Sequence, residues 1–185
     1  MTDDAPLRTV LHVGCGRARL EDLPQMFHRG WQEIRLDLDP SVEPDIVADI
    51  VDMQPVASAS VDAVYSAHNL EHLYAHQVPL ALAEFHRVLK RGGLVLVTLP
   101  DLQEVAAAVV EGRLEEPLYH SQAGPIAPLD ILYGHRPSLA QGRVTMAHKT
   151  GFTAGTLRRK LTAAGFQVTS VNRQDYALWA VGKKL

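Results

Sequence analysis

Along the chain, short apolar runs alternate with stretches whose apolar positions recur every three to four residues, the signature of strands separated by helices. Residues 9–13 (TVLHV) are the first run, stopped by Gly14-Cys15-Gly16. Residues 18–27 carry a short helical pattern, residues 34–38 (IRLDL) a second strand ending at Asp39-Pro40, and residues 46–50 a short third. Residues 61–67 (VDAVYSA) read as a fourth. Val78, Leu82, Phe85 and Leu89 keep helical spacing over 77–90, and Arg91-Gly92-Gly93 is the expected stop, cations and then glycine. The run LVLVTL at 94–99 is the most continuously apolar, as a central strand buried on both faces should be. Asp101 predicts the cap of a helix with Leu102, Val105, Ala106, Val109 and Val110 on its apolar side. Residues 113–150 then hold Pro117, Pro125, Pro128 and Pro137 without a sustained period, which suits a lid or binding loop. Thr153 predicts the cap of a last helix closed by Gly165, and residues 166–171 and 177–181 predict an antiparallel hairpin.

This alternation implies an α/β domain with a mainly parallel sheet. One link strains the scheme. Only about six residues separate Asp39 from Ile46, whereas a helical crossover needs about a dozen. The helix expected there is missing or replaced by the loop PSVEP.

Composition works by exclusion. Lys plus Arg total 18 against 21 Asp plus Glu, a net charge of -3, so a partner held by phosphate neutralisation is not favoured and nucleic acid is not an expected ligand. The lone Cys15 forms no intramolecular disulfide, which fits a reducing compartment. The opening MTDDAPLRTV has neither the basic start nor the apolar run of a secretory leader, and no run approaches bilayer length. A cytoplasmic protein without membrane attachment is expected. No repeat, heptad or compositional break marks a second domain, so residues 1–185 read as one domain with 113–150 as an irregular lid over an acceptor site. Oligomeric state has no signature in the sequence.

The chemistry starts at the glycine turn. A glycine loop between the first strand and the next element of an open α/β sheet is a ligand site, because glycine lets the backbone approach the ligand at the carboxyl ends of the strands. A dinucleotide fingerprint would need a third glycine where Arg19 stands, and a P-loop would need Gly-Lys-Ser/Thr; the spacing Gly14, Gly16, Ala18 fits neither. Asp37, roughly 20 residues on, ends the second strand, where a carboxylate can accept bonds from both hydroxyls of a ribose. Asp39 shares its parity and is a rival. Asp49, ending the third strand, is placed to accept from an adenine amino group.

With these residues in place, the segments LHVGCGRARL, RLDLDP, VADI, SVDAVYSAHNLEHL and EFHRVLKRGGLVLVTLPD appear in order over residues 9–101, followed late in the chain by GFTAGTLRRKLTAAGF. Together they make the chain resemble the class I S-adenosylmethionine-dependent methyltransferases. The resemblance implies a three-layer Rossmann-like fold with a mostly parallel seven-stranded sheet and an antiparallel C-terminal hairpin. It implies S-adenosyl-L-methionine as cofactor, with Gly14 and Gly16 under its methionine and ribose portions. Asp37 would hold the ribose, Asp49 and the amide of Ile50 the adenine, and His68 and Asn69 the sulfonium end. The family usually carries an acid where His12 stands.

Methyl transfer from a sulfonium is an in-line displacement, so positioning supplies much of the catalysis, and a hydroxyl acceptor gains from a base, most often histidine. The expected catalytic residues are His148, just before the last helix, and His68, with His72 also flanking the donor site. His120, His135 and His148 share the 113–150 segment, but their wide spacing matches no compact metal motif and no metal is expected. Ser66-Ala67-His68-Asn69 is not the Asn/Asp-Pro-Pro-Tyr of amino-group methylases acting on DNA or glutamine, and the only cysteine lies in the glycine loop rather than at an acceptor. The expected activity is methyl transfer to a small or medium molecule at O or N. The alternatives are a methyltransferase-like protein that binds the nucleoside in a regulatory or scaffolding role, and a nicotinamide-dependent oxidoreductase, which Arg19 disfavours.

Overall fold

A computed structural model describes residues 6–121 and 123–185. The acidic opening 1–5, part of the basis for expecting no leader, lies outside the described residues, as does Gln122. The strands are β1 (Arg8–Val13), β2 (Trp31–Asp37), β3 (Ile46–Val47), β4 (Val61–Ala67), β5 (Leu89–Pro100), β6 (Tyr119–Ser121), β7 (Gly124–Ile126), β8 (Phe166–Gln174) and β9 (Ala177–Lys184). The α-helices are α1 (Val78–Val88), α2 (Leu102–Val110), α3 (Pro128–Tyr133), α4 (Arg136–Ala140) and α5 (Ala154–Ala163). Seven strands make one sheet in the order β3-β2-β1-β4-β5-β9-β8, parallel from β3 to β5 and antiparallel at β9 and β8; β6 and β7 form a separate small ribbon.

Alternation along the strands sorts the two faces. Leu11, Val13, Val64, Val95, Val97, Leu178 and Ala180 point to one side, where Val78, Ala81, Leu82, Phe85 and Val88 of α1 and Leu157 and Leu161 of α5 cover them. Val10, Ala63, Tyr65 and Leu96 point to the other side and meet Leu23, Phe27 and Trp31. No helix forms between β1 and β2. The helical pattern of residues 18–27 resolves into two 3-10 turns, Leu20–Asp22 and Gln25–Phe27, because Pro24 separates them and no continuous apolar stripe bridges it. The short link after Asp39 is likewise a 3-10 turn, Pro40–Val42.

Arg35 holds this helix-poor region together. It is buried, and its guanidinium donates to the carbonyls of Ala18 (3.2 Å), Glu43 (2.7 Å), Gly16 (2.5 Å) and Val42 (3.3 Å). The carbonyls of two irregular segments thus converge on one cation, which provides the bonds an intact helix would have made within itself.

Two boundaries differ from the sequence expectation. α1 stops at Val88, and Arg91-Gly92-Gly93 belongs to β5, in a bulge that shifts the register between Val61 and Ala63 of β4. The β8–β9 turn is only Asp175-Tyr176, both with positive φ (51° and 62°), the form a two-residue hairpin loop takes. The Tyr176 carbonyl accepts from the Asp101 amide at 2.8 Å, tying the hairpin tip to the end of β5. Residues 113–150 are more structured than a loop: the β6–β7 ribbon, α3, α4 and a 3-10 turn at Val144–Met146. No described helix is long and apolar enough to cross a membrane.

Candidate functional site

The carboxyl ends of β1, β2, β3 and β4 open into a cleft of about 1060 Å³, just above the roughly 300–1,000 Å³ typical of small-ligand sites. Gly14, Gly16, Asp37, Asp49, Ile50, His68 and Asn69 all line it. Residues separated by tens of positions in the chain are collected here because parallel strands deliver every strand end to the same edge of the sheet.

Each takes its place for a local reason. Gly14 has φ +57°, and a Cβ there would lie 1.8 Å from Asn69 Oδ1. Asn69 is packed down on the glycine, and its Nδ2 donates to the carbonyls of Val13 (2.9 Å) and Ala67 (3.0 Å), stapling the ends of β1 and β4. Gly16 has φ +52° with open space beside it, so the backbone is bare where a ligand would pass. The Gly16 amide donates to Asp37 Oδ2 (2.8 Å) and the Asp39 amide to Asp37 Oδ1 (2.9 Å), which orients the carboxylate and leaves each oxygen a further lone pair. Asp39 is exposed and accepts from the Ser41 amide at 2.8 Å. That bond to Ser41 holds its carboxyl below the usual range. The rival aspartate is occupied as a cap, although it still borders the cleft.

His68 adopts φ +54°, unusual for a residue with a side chain, at the turn out of β4. Its Nδ1 donates to Glu71 Oε1 at 3.1 Å. Desolvation by the cleft walls lowers the imidazole pKa, but the Glu71 bond and charge outweigh it, leaving it raised. Glu71 is itself fully buried, and its second oxygen, Oε2, has no partner among the described residues. His72 lines the cleft one position on and has its pKa lowered by burial and by the neighbouring His148, against the opposing pull of Glu71.

The opposite wall is the end of the 113–150 segment: Arg143, Thr145, Met146 and Lys149. It is anchored to the β4 side through the backbone. The amides of Lys149 and Thr150 donate to the Glu71 carbonyl (2.8 and 3.2 Å), and His72 Nδ1 donates to the Ala147 carbonyl (3.2 Å). Behind it, Asp130 takes bonds from Arg136 Nε (2.8 Å), Arg136 Nη2 (3.1 Å) and the Ala127 amide (3.0 Å). Burial pushes the Asp130 carboxyl up, but these bonds prevail and hold it at about 2.

His148 stands one layer back from the cleft. Its ring packs edge-on against His72, centroids 4.8 Å apart, and its Nδ1 donates to the Ile131 carbonyl at 2.6 Å. His120 lies exposed on β6, and His135 bonds to Ser138 Oγ at 2.9 Å, so the three histidines of this segment do not converge. His12 is absent from the cleft wall. It is buried on the other face of the sheet, donates to Glu33 at 2.7 Å and packs near Tyr65. The buried Glu71 and the bracing by Arg35 were both missed from the sequence. Glu71 stands inside the quoted SAHNLEHL segment, but its partners lie elsewhere in the chain.

Residues 11–97 match the family model described as a methyltransferase domain. Over this span the chain is a methyltransferase domain. The methyltransferase has the same fold as a protein from Pyrococcus horikoshii OT3 (TM-score 0.67, 13% identity, covering 100% of this chain and 85% of that one). It is also similar to an S-adenosylmethionine-dependent methyltransferase from Mesorhizobium loti (TM-score 0.63, 16% identity, 98% and 93% covered). A third structure of this fold is the 1,6-didemethyltoxoflavin-N1-methyltransferase of Burkholderia thailandensis, with its acceptor and S-adenosylhomocysteine bound (TM-score 0.59, 16% identity, 97% and 72% covered). No curated protein is similar enough in sequence to match. The methyl donor of the methyltransferase is S-adenosylmethionine, and the cleft fits it: a bare glycine backbone beside an oriented carboxylate, with room beyond.

Proposed function

We propose that this methyltransferase moves the methyl group of S-adenosylmethionine to a small or medium acceptor, at oxygen or nitrogen, held between the His68–His72 turn and residues 143–149. The supporting observation is the single cleft that joins the glycine loop and Asp37 to a second, polar wall supplied by the 113–150 segment. When bound, S-adenosylmethionine supplies an electrophilic methyl group on a sulfonium.

The chain's own residues do the rest. Gly14 and Gly16 admit the donor, Asp37 accepts from its ribose, and Asp49 and Ile50 border the adenine. His68 and Asn69 stand at the sulfonium end. Residues 143–149 act as the lid over the acceptor, within a single domain. His68, paired with Glu71, takes the proton lost by the acceptor, and His148 acts through its contact with His72. A small molecule rather than nucleic acid is the acceptor, and the lone buried Cys15 accords with the cytoplasm. The family assignment favours this enzymatic reading over a regulatory binding module.

Calorimetry with S-adenosylhomocysteine tests donor binding directly. Asp37→Ala should weaken it by about 1–3 kcal/mol, the cost of losing charge-assisted bonds, and Asp39→Ala should leave it nearly unchanged. Equal losses in the two variants would place the ribose elsewhere. In an acceptor screen, His148→Ala should lower turnover more than donor affinity; the reverse would remove His148 from acceptor chemistry.

A further inference from the structure

Three groups, two from the turn after β4 and one from the end of the 113–150 segment, meet beside the cleft at a point that the methyl-transfer roles above do not explain. One ligand atom from each of Glu71, His72 and His148 can be chosen so that all lie within 4.8 Å of one another. Glu71 is 1% exposed, and its Oε2 has no hydrogen-bond partner among the described residues. A buried carboxylate oxygen left unpaired is expensive, and proteins rarely keep one without a positive partner. Glu71 Oε1 is already taken by His68, so the orphan is the oxygen turned away from it.

The two histidines are arranged as metal ligands usually are. His72 Nδ1 faces the Ala147 carbonyl at 3.2 Å and His148 Nδ1 faces the Ile131 carbonyl at 2.6 Å. A carbonyl only accepts, so both rings must carry their proton on Nδ1. In the neutral ring Nε2 then offers a lone pair, and the backbone acceptor behind it fixes tautomer and orientation. We propose that Glu71, His72 and His148 form a site for one divalent transition-metal cation of the zinc type, whose remaining positions face the cleft and take an oxygen of the acceptor.

The donor set selects the ion. Two imidazoles and one carboxylate suit zinc and its first-row neighbours, whereas magnesium and calcium prefer oxygen throughout. Three protein ligands leave a position open, as catalytic zinc sites do and closed structural sites do not. Ligands about 2.1 Å from a shared ion stand roughly 3.5 Å apart, so the trio would draw in by about 1 Å. His72 is the member that lines the cleft, which directs the open side toward the acceptor. A cation there would lower the pKa of a bound hydroxyl, which narrows the acceptor to a hydroxylated molecule. That last step rests on the methyl-transfer reading; cation binding does not.

The trio was invisible to spacing rules because Glu71 and His72 leave β4 while His148 arrives from the far end of the 113–150 segment. The test uses the full chain, stripped with a chelator and dialysed, and titrated with Zn²⁺ by calorimetry and with Co²⁺ by visible absorption. One equivalent should bind, excess Mg²⁺ should not displace it, and Zn²⁺ should raise the melting temperature. Glu71→Gln, which keeps the side chain's size, and His148→Ala should each weaken the binding by roughly a hundredfold or more, since even outer-shell changes at such sites cost 10–100-fold. His76→Ala, an exposed histidine, should not. S-adenosylhomocysteine is titrated in parallel as a check on fold and donor cleft. Donor binding without saturable metal binding, or metal binding that survives both Glu71→Gln and His148→Ala, overturns the site and leaves the donor reading standing. Metal binding that is lost in both variants, with no donor binding, does the reverse.

Discussion

Gly14 and Gly16 have nearly the same backbone angle and opposite surroundings. At Gly14 an added methyl runs into Asn69 Oδ1, and the Asn69 side chain is held in place by the two carbonyls that its Nδ2 donates to, so Gly14→Ala combines backbone strain with a steric clash. It should destabilise the fold by more than the roughly 1–2 kcal/mol of a left-handed residue alone, read from the urea midpoint. At Gly16 the methyl enters open cleft, so Gly16→Ala should cost about 1–2 kcal/mol of stability and appear chiefly as weaker donor binding. Equal stability losses in the two variants would contradict this division. The residue-scale features readable in the sequence were those whose neighbours are local. The glycine spacing and the strand-end Asp37 announce themselves within a few residues, and Asp39 separates from Asp37 only once its bond to Ser41 is seen. Glu71 has no such local signal, because its significance comes from histidines of two separate segments.

At the scale of elements, long apolar runs gave reliable strands, α2 and α5 fell where their periods and caps put them, and α1 kept its period but ended before its expected glycine stop. The failure over residues 18–27 has a physical cause: a few apolar residues at helical spacing do not overcome a central proline, Pro24, in so short a segment. Arg35 compensates. Arg35→Met would leave the carbonyls of Gly16, Ala18 and Glu43 without their donor, and since these residues are half-buried or exposed, each loss should cost less than the about 1–3 kcal/mol of a fully buried unsatisfied group. The variant should unfold at markedly lower urea and lose donor affinity together, because the same cation shapes the glycine loop. A melting point unchanged from that of the parent chain would show that the loop does not need it.

For the whole molecule, buried ionisable groups set the acid limit of stability. Burial holds His12 below its usual value of 6.5 despite the Glu33 bond, and His72 is lowered in the same direction. Because the folded pKa lies under the unfolded one, each contributes stability that is fully present above pH 6.5 and is lost as pH falls through the lowered value. Asp130, held at about 2 against a usual 3.8, adds stability that is present above pH 3.8 and lost as pH falls through about 2. Stability against pH should therefore fall in two stages. His12→Gln should shrink the first, and Asp130→Asn the second, both measured by urea unfolding across pH 2–8. A single acid transition untouched by His12→Gln would remove that histidine from the account.

The backbone ties between the two walls have a consequence of their own. Two amides, Lys149 and Thr150, hang on the carbonyl of Glu71, and the ring of His72 hangs on the carbonyl of Ala147. If residues 143–149 swing aside to admit a molecule, these tethers part and the three-residue cluster comes apart with them. The machinery is then assembled only when the door is shut, so that an open, water-filled enzyme is also a disarmed one.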